Sequence, residues 1–370
     1  MILILASAII IGYIILILLF WFGWEKAQPC QNKNKRSEGV TIIIAVRNEA
    51  KNITNLLKDI SEQTYPLDLI ELVIVDDHST DRTPEIIKEF TLESPYVIEL
   101  IELTDSVGKK SALKEAMGRA TNEIILSTDG DCRTGTNWIS SMTSCFENEE
   151  IKLVSGPVKM YPQNTIFQRL QSIEFSSLIS SGAATLTLGW PTMANAANLA
   201  FRKSAFEEVN GHEEINVSSG DDVFLLHKIS SSYRDAVRFC RDAQAIVNTE
   251  PSNNLQEFYN QRKRWSGKWQ FYKDPPTISL AIFVFLVNLV LISLPLLILS
   301  GIMTWVIAVN LFVLKLAFEF WFLRETQKFF QSKFLLHEFL ILAIIYPYYV
   351  TFMAVAGLLG GYQWKDRVTQ

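Results

Sequence analysis

Apolar and polar positions follow two regimes along the chain. Met1 to Trp24 and Thr277 to Leu314 carry no charged residue. A bilayer-spanning helix needs about 20 mostly apolar residues. The first stretch therefore holds one span, and the second has room for most of two, divided near Pro295 and Ser300-Gly301. The later of these is expected to run on to about Arg324, and the run from about Phe334 to Leu359 predicts a fourth span. Between these regions the period changes. Val40-Thr41-Ile42-Ile43-Ile44-Ala45-Val46 reads as a strand buried on both faces, followed by a polar loop, Arg47-Asn48-Glu49. Ile53, Leu56, Leu57 and Ile60 recur at helical spacing. A second strand, Ile70 to Val75, breaks at Asp76-Asp77-His78-Ser79-Thr80-Asp81, and a helix with an early proline follows from Pro84 to Phe90. A third strand, Val97 to Leu103, leads into Gly108-Lys109-Lys110 and another helix. A fourth, Glu123 to Thr128, closes on Asp129-Gly130-Asp131. Alternating strands and helices predict an α/β fold with a mostly parallel sheet between helices. Each polar cluster falls at a strand end, on the edge where open α/β sheets bind ligands.

The chain has 370 residues, about half of them apolar, and a net charge of −5, so nothing points to nucleic acid. The first span has no basic n-region and no small-residue cleavage site, which favours an uncleaved anchor over a signal peptide. Lys26, Lys33, Lys35 and Arg36 follow it, and Lys328 and Lys333 follow the third span. Basic flanks mark the cytoplasmic side, so the central region is expected on the cytoplasmic side of the cell membrane, with both chain ends outside. The expected division is an anchor at 1–24, a catalytic domain at 38–250, an interfacial segment at 251–276 and three spans in 277–360. Lys315 and Glu319 lie four apart within the third span. Charges there are costly and are paired or functional; pairing on one helix face is the simpler reading. The four cysteines (Cys30, Cys132, Cys145, Cys240) show neither C-x-x-C nor zinc-like spacing and are expected to be free thiols.

The strand ends carry the chemistry. Asp129 and Asp131 offer hard oxygen ligands suited to Mg²⁺ or Mn²⁺, although such a tripeptide also makes surface turns. Asp76 and Asp77 could likewise cap a turn. Three acidic strand ends with Lys109 on one edge make a stronger case, because lysine and a metal ion together neutralise a diphosphate. No G-x-G-x-x-G follows the first strand and no G-x-x-x-x-G-K-[ST] occurs, so neither a dinucleotide site nor a P-loop is expected.

In order, the motifs are Val46-Arg47-Asn48-Glu49, Val75 to Asp81, Gly108 to Leu113, Asp129-Gly130-Asp131, Gly220-Asp221-Asp222 and Gln261-Arg262-Lys263-Arg264-Trp265. This series resembles the family 2 glycosyltransferases, which have a GT-A nucleotide-diphospho-sugar domain, and the match runs from about Val40 to Lys268. The resemblance implies that Asp77 faces the uracil, Glu49 the nucleoside, Asp131 the metal, and that Asp129 and Lys109 lie by the nucleotide-sugar. It also implies that Arg264 contacts the diphosphate while Gln261 and Trp265 border the acceptor, and that Asp222 is the general base. A carboxylate beside an alcohol suits that task; the alternative for Asp222 is a helix N-cap ahead of Val223-Phe224-Leu225-Leu226. The Gln261–Trp265 motif also fits a basic-aromatic membrane anchor. Ala196 stands where the family's G-x-N-x-A-x-R segment has glycine, and Asp221 where glutamate is common.

With its Gln261–Trp265 motif, one anchor before the domain and three expected spans after it, the chain resembles ceramide glucosyltransferases and processive polysaccharide synthases. The expected activity is inverting transfer from a UDP-sugar to a lipid hydroxyl. A growing glycan as acceptor, or a silent nucleotide-binding export subunit, are the alternatives. Membrane lipids are expected partners. Phe167, Leu170, Ile173 and Leu178 share one face of a helix between Asn164 and Gly189. Such a face either lies in the membrane interface or covers the sheet.

Overall fold

The computed structural model describes residues 1–30, 38–211, 221–359, 362–364 and 367–369. Gly220 of the expected motif and the basic residues Lys33, Lys35 and Arg36 lie outside them. The chain opens with α1 (Ile2–Lys26), then alternates β1 (Val40–Val46), α2 (Ile53–Ser61), β2 (Ile70–Asp76), α3 (Thr83–Thr91), β3 (Val97–Glu102), α4 (Lys109–Arg119) and β4 (Ile124–Asp129). The second half of the domain has β5 (Arg133–Thr134), α5 (Trp138–Thr143), β6 (Leu153–Ser155), β7 (Val158–Met160), α6 (Ile166–Thr187), β8 (Leu199–Arg202) and α7 (Lys203–Glu208). It continues with α8 (Asp221–Ser232), β9 (Val237–Phe239), β10 (Val247–Thr249) and α9 (Leu255–Gly267). Three long helices follow, α10 (Pro275–Leu299), α11 (Trp305–Phe329) and α12 (Leu336–Leu358), then short strands β11 (Tyr362–Trp364) and β12 (Arg367–Thr369).

Seven strands form one sheet in the order β3-β2-β1-β4-β8-β6-β9. The β1–β4 half is parallel, and β8 runs antiparallel to both β4 and β6. Ile42, Ile44, Leu72, Ile74, Ile125 and Leu126 are fully enclosed, as strands covered on both faces require. Register then fixes the chemistry: Val46 pairs with Asp76, Ala45 with Asp129 and Asp76 with Glu102, so the acidic strand ends stand in one row.

Among the described residues, α1, α10, α11 and α12 are long and apolar enough to cross a membrane. Helix α11 runs alongside α1, with Trp21 and Trp321 rings 4.6 Å apart and Trp24 and Phe329 5.2 Å apart. Lys315 and Glu319 pair at 2.7 Å, as expected, and Tyr13 of α1 donates to the same carboxylate at 2.7 Å. Pro295 lies within α10; the break comes at Gly301, whose φ of 71° suits glycine.

Two expectations change. Cys30 and Cys145 form a disulfide across 115 residues, with Cα atoms 4.9 Å apart and the Cys240 thiol nearby. The fold, not the spacing, brings them together; Cys132 and Cys240 remain buried thiols. Helix α6 is neither a free interfacial helix nor a simple cover for the sheet. It is wedged between β7, α1, α11 and α12, with Ile173 against Leu323, Phe339 and Ala343.

Candidate active site

The loops after β1 and β2 are joined to each other. Arg47 Nη1 donates to the carbonyls of Asp77 at 2.7 Å and His78 at 3.1 Å. Asn48 N–H donates to Ser79 Oγ at 2.9 Å, and Thr80 N–H to Asn48 Oδ1 at 2.8 Å. The two aspartates then divide their work. Asp76 forms the turn, accepting Ser79 N–H at 2.9 Å and its hydroxyl at 2.5 Å. Asp77, buried, accepts Gly108 N–H at 3.0 Å and meets His78 Nδ1 at 3.2 Å, which ties the end of β2 to the start of α4.

Lys109 is the first residue of α4, and its ammonium donates to Asp129. Burial alone would lower its pKa, but the Asp129 charge and hydrogen bond outweigh burial and hold it above the ordinary lysine value. Arg264 opposes and Asp222 assists that shift. Charged groups from β4, α8 and α9 thus lie close enough to act on one ammonium. Gly130 allows the close packing beside it: a Cβ there would lie 3.0 Å from Glu49 Cγ and Val46 Cγ1. Glu49 is buried against this turn, its Oε2 accepting from Asn52 at 2.9 Å. Next to Asp131, burial and then the Asp131 and Asp129 charges keep Cys132 a protonated thiol.

Asp222 is the second residue of α8. Its Oδ1 accepts Val223 N–H at 2.9 Å, while Oδ2 reaches across to Ala196 N–H at 3.1 Å. Lys268 Nζ stands 3.7 Å from Oδ1, with both side chains largely enclosed. Two amides and an ammonium therefore orient this carboxylate. Lys268 was not anticipated from sequence, although it follows Arg264 by one helical turn and so shares its face. Nearby, burial and then the Asp222 charge push the Tyr272 phenol pKa up. Asn198 is a brace: Nδ2 donates to Pro157 O at 2.9 Å and Ala245 O at 2.8 Å, and Oδ1 accepts from Trp138 Nε1 at 2.9 Å.

Glu49, Asp77, Lys109, Asp129, Asp131, Asp222 and Arg264 thus gather at the sheet edge and the end of α9. Trp265 is turned elsewhere, with its ring 5.8 Å from Phe175 of α6 and the Arg262 guanidinium 4.2 Å above it. Gln261 lies half-buried on α9, one turn before Trp265.

The sequence model described as Glycosyl transferase family 2 matches residues 41–209. The chain carries a family 2 glycosyltransferase domain. Glycosyltransferase AglE of Haloferax volcanii is 27% identical over 233 residues, covering 62% of this chain and 72% of that protein. The poly-β-1,6-N-acetyl-D-glucosamine synthase of Staphylococcus epidermidis is 26% identical over 182 residues, 48% of this chain and 43% of its own. The β-monoglucosyldiacylglycerol synthase of a Nostoc species is 26% identical over 238 residues, 64% and 50% respectively. The chain thus spans half or less of the length of these two synthases. Among solved structures, the mannosyltransferase PcManGT of Pyrobaculum calidifontis, in complex with GDP-Man and Mn²⁺, has a TM-score of 0.58 at 19% identity, covering 95% of this chain and 96% of that one. The glycosyltransferase domain therefore has the GT-A fold, with the strand-end site described above at its open edge.

Proposed function

We propose that this glycosyltransferase is a membrane-associated inverting enzyme that moves a sugar from a UDP-sugar to a lipid hydroxyl at the membrane surface. The observation that carries the reading is the convergence of Lys109, Asp129, Arg264 and Asp222 in a chain with four long apolar helices. Asp222 takes the proton of the acceptor hydroxyl. The hydroxyl oxygen attacks the anomeric carbon from the face opposite the diphosphate, and the bond to the leaving oxygen breaks with its electron pair. Lys109 and Arg264 hold the charge that develops there, and an α-linked donor gives a β-linked product. Asp77 and Glu49 recognise the nucleoside, and Gln261 belongs to the acceptor side, with Trp265 packed behind it against Phe175 and Arg262.

Asp129 and Asp131 present only hard oxygens, so the donor set fits a divalent cation held by one or two carboxylates. Asp131, with Asp129 beside it, would hold the ion. When bound, Mg²⁺ or Mn²⁺ supplies positive charge to the diphosphate. The names of two relatives, a glucosyldiacylglycerol synthase and a poly-N-acetylglucosamine synthase, cover both acceptor classes.

Membranes bearing the protein, incubated with labelled UDP-glucose, UDP-N-acetylglucosamine or GDP-mannose, test this reading. Label from a UDP-sugar should enter the organic-solvent extract, stop with EDTA and resume with Mn²⁺. Label in a high-mass polymer would reject the lipid acceptor, and label from GDP-mannose alone would reject the uracil assignment of Asp77.

A further inference from the structure

Helix α12 is long and apolar enough to cross a bilayer, yet its contacts do not suit a crossing. Near its start, Glu338 accepts from Arg169 at the beginning of α6. Near its middle, the Tyr349 hydroxyl donates to Glu174 of α6 at 3.4 Å, and its ring lies 5.6 Å from Phe258 at the start of α9. Near its end, the carbonyl of Gly357 accepts from Gln270 at 2.9 Å, just beyond α9. Beyond it, β11 packs against α9 again. Glu338 and Gly357 are separated by about 28 Å of helix at 1.5 Å per residue, close to the thickness of a hydrocarbon core. A crossing helix would carry Gly357 to the far surface. Here both ends, and β11 beyond them, stay with the catalytic domain.

The other long helices behave differently. The end of α1 is held by Arg241 beside β9, the start of α10 by His227 of α8, and Lys159 of β7 reaches the carbonyl of Gln331 just after α11. Their opposite ends have no such ties to the domain among the described residues. Helices α1, α10 and α11 are therefore each tied to the domain at one end, as helices crossing in alternating directions would be.

We infer that α12 does not span the membrane but lies within the leaflet on the catalytic side, as the membrane-facing wall of α9. Its surface fits that partner. Leu336, Leu340, Ile344, Tyr348, Phe352 and Val355 recur every three or four residues, each at least 41% exposed, and form one apolar stripe along the helix. Glu338, Phe339, Ala343, Met353 and Ala356 are buried on the other side. A stripe this long, on a helix pinned from behind to a domain, fits the acyl chains of a bilayer. The described chain then has two spans after the domain, not three, and β11 and β12 share the side of the active site. This goes beyond the proposed reaction and does not depend on which face of the membrane the domain occupies.

Two measurements on the full-length protein test it. In right-side-out and inverted vesicles, an epitope tag after Gln370 and a Lys88→Cys thiol on exposed α3 should become accessible to protease and impermeant maleimide in the same preparation. Access in opposite preparations would overturn the inference, and the tag needs no change within the fold. Bimane placed at residues 340, 344 and 352 should be quenched by lipids brominated at one shallow chain depth. A progression through the bilayer centre would mean a span, and no quenching at any depth would mean that protein covers the stripe; either would overturn the inference.

Discussion

Both oxygens of Asp222 are engaged before any substrate arrives, and this decides what its replacement should do. Asp222→Asn keeps the bonds to Ala196 and Val223 within reach but cannot take a proton. Transfer should fall by about 10²-fold or more, while nucleotide binding, read by calorimetry, survives. Lys268→Met removes the ammonium 3.7 Å from the carboxylate and should lower turnover by about 10- to 100-fold, the range of a charge-assisted contact. If Lys268 works through Asp222, adding Lys268→Met to Asp222→Asn should cost little more; additive losses in that cycle would give Lys268 a separate role. Much of this residue set could be read from the chain, because D-D and D-G-D sit at strand ends whose register follows from apolar runs, and Lys109 opens the helix after the third strand. The division of labour between Asp76 and Asp77 could not. Either aspartate suits a turn, and the contacts of Ser79 with Asp76 and of Gly108 with Asp77 distinguish them. Lys268 escaped for a similar reason, since its partner lies 46 residues away and is brought close by α8 and the segment after α9.

At the scale of elements, apolar period located strands and helices well, but it could not say what covers a helix. The spacing through Ile173 is the same for a lipid-facing helix and a wedged one; α6 proved wedged because α1, α11 and α12 pack around it. The α1–α11 pair gives a stability prediction. Lys315→Met leaves the Glu319 carboxylate in the bundle with Tyr13 as a remaining donor. It should destabilise by about 3–5 kcal/mol, as breaking a buried pair does, and Lys315→Met with Glu319→Gln should recover most of that. Melting temperatures in one detergent would read both. The α8–α10 junction gives a pH prediction. Burial lowers the pKa of His227 from 6.5, although Asp274 opposes it, so the folded protein favours neutral imidazole. The unfolded chain gains this proton first, so stability should be lost as pH falls below about 6.5 towards the folded value. His227→Asn should flatten the melting temperature between pH 7 and 5; an unchanged slope would mean that other groups set it.

The disulfide belongs to the scale of the whole molecule. It closes a loop of 115 residues between the end of α1 and the domain, and loops of that size are worth about 4–5 kcal/mol in the chain-entropy picture. Cys30→Ser should lower the melting temperature and remove its sensitivity to dithiothreitol; a wild type indifferent to reductant would argue against the bond's weight. No local pattern could have shown it, because the pairing exists only once the sheet and anchor are assembled. The same holds for α12, whose composition describes a span while its partners, distant in sequence, hold both its ends.

The join between anchor and domain also sets a reach. Arg241 donates to the carbonyls of Trp24 at 2.8 Å and Ala27 at 3.3 Å, its guanidinium lies 4.6 Å over the Trp24 ring, and Cys30 is bonded a few residues on. A domain on a loose tether would sweep a hemisphere and meet hydroxyls at many heights. This one is bolted to its anchor, so in the proposed reaction the hydroxyl must come to it. Candidate acceptors are then sorted by how far their hydroxyl stands from the acyl chains before any contact reads their chemistry.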